Sequence, residues 1–243
     1  MIRRYLLTTV SFIALAGVAS AADIPVRVTK APPSLPLPIW TGPYVGVDGG
    51  AVWYKVKDSF EFPPLTAPPP ITSRDSGWTL GVHAGYNWQF SNVLFGVETD
   101  FSWIDAGVNS GQIFFASPVF VAAHDLRWLA TFRGRAGIVL DRTLFYLTGG
   151  PTVGAVKSSW IDVNGFLPPA TETKTKWGWA AGGGIEHQFA TAPTWSARAE
   201  VLYVDLGNSQ LTSPDGGATF GTLYTNKFSN TAVIGRLGLS LKW

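Results

Sequence analysis

The feature that most limits what this chain can fold into is an alternation of period two that restarts eight times between Trp40 and Trp243. From Trp78 to Trp88 one parity reads Trp78, Leu80, Val82, Ala84, Tyr86 and Trp88, and the other reads Thr79, Gly81, His83, Gly85 and Asn87. Successive side chains of an extended strand point to opposite faces, so this run sets every apolar group on one face. The next run repeats the pattern, with Val93, Phe95, Val97, Phe101 and Trp103 opposing Gly96, Glu98, Asp100 and Ser102. Further runs start near Tyr44, Leu126, Leu144, Trp177, Trp195 and Tyr224, the last ending the chain at Trp243. Each is about ten to fifteen residues long, against roughly 9–11 for a tilted membrane-crossing strand and about five or six for a common globular one.

The connections alternate as well. Phe90-Ser91-Asn92, Asp141-Arg142-Thr143 and Ala190-Thr191-Ala192-Pro193-Thr194 read as short turns, and long connections are expected near 55–75, 106–124, 158–174 and 207–223. A meander with one trimmed end and one ornamented end matches the periplasmic and extracellular sides of an outer-membrane barrel. The predicted fold is therefore all-β, an eight-stranded antiparallel up-and-down transmembrane β-barrel over residues 40–243.

Composition decides which face looks outward. Charged residues are only 14% of the chain, where soluble domains carry about 25%. A soluble barrel would cover its polar parity with Lys, Glu and Thr. Here that parity is mostly Gly, Ser and Thr, and of the eight lysines only Lys242 falls well inside a predicted strand. The apolar parity is thus expected to face lipid and the Gly-rich parity to line a narrow interior. Strands running alternately up and down gather Trp53, Trp78, Trp103, Trp128, Trp179, Tyr203 and Phe228 near the long-connection end. Trp88, Phe95, Phe145, Phe189, Trp195 and Trp243 gather near the short-turn end. Two aromatic belts of this kind are what bilayer interfaces select.

Residues 1–21 read as a signal peptide, with Arg3 and Arg4, an apolar stretch and Ala19-Ser20-Ala21 before the cut. Residues 22–39 carry five prolines and read as a periplasmic tether, because proline lacks the ladder donor. Loss of Arg3 and Arg4 from 18 basic residues leaves 16, equal to the 16 acids, so no basic excess argues for nucleic acid. With no cysteine, disulfide and thiolate-metal scaffolds are excluded.

An eight-stranded barrel has an interior that side chains just fill. The inward parity carries Asp48, Glu98, Asp100, Glu186 and Glu200 against Arg133, Arg135, Arg198 and Arg236, with His83 beside them. This set is expected to form a lumen charge network acting as a structural salt-bridge plug, since desolvated charges demand partners. The alternative is a narrow polar pathway whose selectivity the arginines set. His83, His124 and His187 form no recognisable Ser–His–acid arrangement in sequence, and His124 is expected beside a loop. Glu186-His187 lacks a second ligand at metal spacing. No catalytic, cofactor-binding or metal residues are expected.

The stretch Trp40-Thr41-Gly42-Pro43-Tyr44-Val45-Gly46 is similar to the opening of small alpha-proteobacterial outer-membrane β-barrels, variously porin-like or opacity-type and related to the OmpA transmembrane domain. Arg133-Gly134-Arg135-Ala136-Gly137, Leu147-Thr148-Gly149-Gly150 and the run from Trp195 to Tyr203 carry further resemblance. It spans nearly all of residues 40–243. It implies an eight-stranded barrel and residence in the cell outer membrane of a Gram-negative organism, and it does not imply a catalytic centre. The final strand also resembles the targeting signal read by the barrel-assembly machinery, with Trp243 where Phe is usual.

The expected role is structural, in envelope integrity, with outer-membrane lipids and lipopolysaccharide as surroundings and the loops available for host or surface contacts. A narrow porin-like channel for small solutes is the second reading and a lipid-modifying enzyme the third. The apolar stretch Ile113 to Val121 is expected to contact a partner or membrane, to extend a strand, or to fold over the barrel mouth.

Overall fold

The computed structural model describes residues 40–61, 69–113, 119–162, 170–212 and 225–243. These form eight strands: β1 (Gly42–Glu61), β2 (Ile71–Phe90), β3 (Val93–Ile113), β4 (Val119–Leu140), β5 (Thr143–Asp162), β6 (Ala170–Gln188), β7 (Trp195–Thr212) and β8 (Thr225–Lys242). Each pairs antiparallel with its sequence neighbours, and β1 pairs with β8 to close the barrel. The signal peptide and tether expected over residues 1–39 lie outside the described residues.

The strands turn tightly at the inner, short-turn end. Ser91 and Asp141 take positive φ of 57° and 53°, as the first central residue of a primed two-residue hairpin requires. The alternation resolves as expected through the middle of the wall: Leu80, Val82, Val97, Leu147, Val201 and Leu237 stand exposed, while Asp48, His83 and Glu98 are buried inside.

At the outer end the sequence-based expectation needs correction. The strands are 18 to 22 residues long, so much of each supposed long connection is strand. The cause is a reversal of the hydropathy pattern above the aromatic belt. There the outward parity meets water and the inward parity meets a second core. Lys55 and Lys57 are exposed while Tyr54 and Val56 are buried, and Ile104, Ala106 and Val108 point in beside an outward Asp105. Lys55, Lys57, Lys157, Lys174, Lys176 and Lys227 accordingly lie in strands alongside Lys242. The stretch Ile113 to Val121 is strand at both ends, and residues 114–118 between lie outside the described residues.

A second correction concerns parity. The pairing of β4 jumps between Leu126 and Trp128, a bulge that leaves one extra residue in the strand. Because the side-chain period is two, one extra residue exchanges the faces. Below the bulge Leu129, Thr131, Arg133 and Arg135 point in; above it Ala122, His124 and Leu126 do. His124 is therefore a buried strand residue and not a neighbour of a loop. Phe228 is also buried, sharing the inward parity of Ile234 and Arg236, and does not join the outer belt. Deleting Arg127 would remove the extra residue and turn either His124 out of the lumen or the Arg133–Arg135 pair toward lipid. The expected outcome is loss of the heat-modifiable folded band in electrophoresis of refolded protein.

The interior is layered. At the inner end Trp40, Leu94, Val139, Leu144 and Tyr146 form an apolar floor. The charged layer stands above it. Above that lies a larger apolar layer that includes Val52, Leu126, Leu129, Leu202, Val204 and Ile234. An interior of Gly, Ser and Thr with isolated charges was expected; a narrow barrel extended beyond the bilayer needs a dry core of its own.

Candidate functional site

All ten residues of the expected lumen set lie inside the barrel and are buried, and the register explains why they meet. Glu98 is directly opposite Arg133, Glu186 opposite Arg198, and Glu200 opposite Arg236. Directly opposed residues share a face at about 4.5–5.5 Å, so Arg133, Arg198 and Arg236 each begin beside a carboxylate and reach others across the lumen, while Arg135 starts opposite Gly96 and Thr148.

Arg133 is the hub, with no exposed surface. Its Nη2 donates to Glu98 Oε1 at 2.7 Å and Asp100 Oδ2 at 2.9 Å, and Nη1 lies 3.2 Å from Glu200 Oε1. Thr131 completes this corner, accepting from Arg133 Nε at 2.9 Å and donating to Asp100. Arg236 donates to Glu200 Oε1 at 2.6 Å and reaches Asp100 at 3.1 Å and Asp48 at 3.3 Å. Arg198 joins Glu98 at 2.6 Å to Asp48 at 3.5 Å. Arg135 donates to Glu186 at 2.8 Å, and Ser196 donates to the other oxygen of that carboxylate at 2.5 Å. His83 bridges Asp48 and Ser240, each at 3.0 Å.

Two tyrosines belong to this network that the sequence reading did not include. Tyr44 accepts from Arg135 at 2.8 Å and donates to Glu98 at 2.8 Å. Tyr146 donates to Glu200 at 2.9 Å, and the Arg135 guanidinium lies 4.1 Å from its ring centroid. The signal was present: Tyr44 shares parity with Asp48, and Tyr146 with Thr148. The ring of Tyr44 also explains Gly85, where a Cβ would collide with its hydroxyl. Tyr44→Phe leaves both Glu98 and Arg135 short of a partner. A loss of about 1–3 kcal/mol is expected, read as a lower urea midpoint for the folded band.

All eight strands contribute a polar group to this layer, from Tyr44 and Asp48 on β1 to Arg236 and Ser240 on β8. A buried pair is weak evidence for stability by itself, but removal of one partner leaves a buried charge uncompensated.

In the outer half of the lumen a second polar group forms that the sequence left scattered. His124 Nδ1 lies 3.0 Å from Ser158 Oγ, its Nε2 faces Asp58 Oδ1 at 3.4 Å, and Phe228 packs on its ring at 4.5 Å. Tyr54 donates to Asn230 at 2.5 Å nearby. These residues converge because the β4 bulge turns His124 inward. The cavity beside Ser158 has a volume of about 10 Å³, lined by Val156, Glu172, Lys174 and Phe228 as well.

The belts have the following arrangement. Trp53, Trp78, Trp103 and Trp179 are exposed toward the outer end, and Trp88, Trp195 and Trp243 toward the inner end. Trp128 is half-buried and stacks on Phe101 at 5.9 Å. His187 points outward near the inner end, with Thr143 Oγ1 2.9 Å from its Nδ1.

A closed barrel with apolar walls and a paired-charge interior is an outer-membrane architecture, and residues 12–233 match the model of the outer membrane protein beta-barrel domain. The chain belongs to that family. This outer-membrane barrel is 33% identical over 210 residues to the 31 kDa outer-membrane immunogenic protein of Brucella melitensis, covering 81% of this chain and 85% of that protein. It is 26% identical over 252 residues to the 25 kDa outer-membrane immunogenic protein of Brucella abortus, covering 100% and 99%. Among solved structures it is similar to OprG from Pseudomonas aeruginosa at 14% identity and a TM-score of 0.45, covering 84% and 98%. The protein resides in the outer membrane.

Proposed function

We propose that this outer-membrane barrel is a non-catalytic structural component of the envelope, sealed through its lumen, with surface connections available for host or environmental contacts. One observation carries the reading: a charge network joining all eight strands stands between two apolar layers, the Trp40 floor and the layer of Leu129, Leu202 and Ile234. Ions crossing the lumen would have to displace paired charges and enter two dry layers, each a desolvation barrier. Reconstituted in planar bilayers, the wild-type protein is expected to give no stable unitary currents. Reproducible currents abolished by lumen substitutions would overturn the seal and favour a small-solute channel. A deletion strain is expected to gain detergent sensitivity.

Catalysis has little support in the Ser158–His124–Asp58 group. A cavity of about 10 Å³ has room for about one water and not for an acyl substrate. The names of the Brucella relatives describe immunogenic proteins, which supports surface exposure of the connections here. Recognition of the β8 end by the assembly machinery through Trp243 belongs to the same proposal.

A further inference from the structure

We propose that the barrel wall to either side of β1 holds one phosphorylated, multiply acylated glycolipid of the outer leaflet, a lipid A, with phosphate above the aromatic belt on β1 and β2 and an acyl chain in a groove below that runs from β1 over β8 toward β5. The proposal deepens the envelope role and rests on the barrel standing in the outer membrane.

The headgroup part of the site is a set of cations. Lys55 on β1 is directly opposite Arg74 on β2, and both are exposed on the outer face. Like charges directly opposed across a strand pair repel and destabilise the pairing. Lys57 stands one outward position further along β1 and is also exposed. Among the described residues, no carboxylate makes an ion pair with Lys55, Lys57 or Arg74. Asp75, the neighbouring acid, opposes the inward Tyr54, and its carboxylate accepts the Ser76 amide at 2.7 Å. Three uncompensated cations on one wall are complementary to an anion.

Their height fits a lipid phosphate. Trp53 and Lys55 are consecutive outward residues of β1, so Lys55 sits about 7 Å along the strand above a belt tryptophan. That is the level at which lipid phosphates meet a barrel wall.

The second observation lies on the same strand below Trp53. A groove of about 680 Å³ crosses the lipid-facing wall from β1 over β8, β7 and β6 to β5. Outward glycines at 49, 183 and 235 make its floor, and Trp53, Phe145 and Leu237 stand as its walls. Its upper end is the Trp53 ring, which lies over Gly235 so closely that a Cβ there would sit 3.3 Å from the ring. An apolar groove that ends beneath a row of cations is shaped for an amphiphile with an acidic head, and phosphate with attached acyl chains supplies both.

The experiment is a titration of the folded protein with bisphosphorylated hexa-acyl lipid A, its dephosphorylated counterpart and phosphatidylglycerol, counting bound lipids by native mass spectrometry. Wild type is expected to hold the bisphosphorylated form at least about tenfold tighter than either comparison lipid, since each cation near a lipid surface adds roughly one factor of five. The Lys55→Ser/Lys57→Ser/Arg74→Ser variant should lose that preference. Gly49→Leu should weaken both lipid A forms while keeping the preference; a Cβ at Gly49 meets only ordinary contacts, at 3.5 and 3.7 Å, so the wall accepts it. A triple variant that keeps the preference, or phosphatidylglycerol bound as tightly as lipid A, overturns the phosphate site. Unchanged binding by Gly49→Leu overturns the groove. Heat-modifiable mobility is recorded for every chain and lipid counts are compared only among chains that form the barrel; a wild-type chain that forms none would overturn the outer-membrane reading and not the site.

Discussion

Arg133→Met is expected to destabilise the barrel by about 3–5 kcal/mol, because it removes one partner from a buried charge set. The guanidinium contacts three carboxylates, Glu98, Asp100 and Glu200. After its removal five acids share three arginines, at positions with almost no exposed surface. The measurement is the urea concentration or temperature at which the fast-migrating folded band converts to the unfolded one. The control is the double variant Glu98→Gln/Arg133→Met. It should cost less than the sum of its parts, since directly opposed residues in one network couple by about 0.5–3 kcal/mol. A single variant with the wild-type midpoint would mean that the network fills space without holding strands together.

Trp40→Ala carries the second large effect. The indole is buried with 1% exposure against Leu94, Val139, Leu144 and Tyr146, and the Trp40 amide donates to Gln89 Oε1 at 2.7 Å. Truncation of a buried tryptophan costs about 3–5 kcal/mol through lost burial and the cavity left behind. The folded band should therefore convert at a lower temperature. Conductance should nevertheless stay absent, because the upper layer around Leu129, Leu202 and Ile234 is untouched. Currents appearing in this variant alone would assign the seal to the floor and sink the two-layer account.

The wall and the charged layer were legible in the sequence where one rule held throughout: apolar out, polar in, period two. From Leu80 to Trp88 or from Glu98 to Ser102 that rule places each side chain where the structure has it. It failed where the surroundings changed. Above the belt water replaces lipid, so Lys55 and Lys57 turn outward beside an inward Val56, and a strand resembles a polar loop. At Leu126–Trp128 the bulge exchanges the faces, so no fixed parity assigns both Arg133 and His124 to the interior. Tyr44 and Tyr146 were missed for another reason: an aromatic on the inward parity reads as packing until a carboxylate is found within reach of its hydroxyl.

The length of the staves has a consequence for how this molecule meets its surroundings. Twenty residues of β1 run about 65 Å, or about 50 Å of height at a tilt near 40°, whereas the lipid-embedded band of such proteins is about 25 Å tall. An antibody or phage tail approaching from outside therefore encounters a stiff palisade as well as the tips of the hairpins. Sequence drift at those tips would leave the flanks of the palisade unchanged as a target.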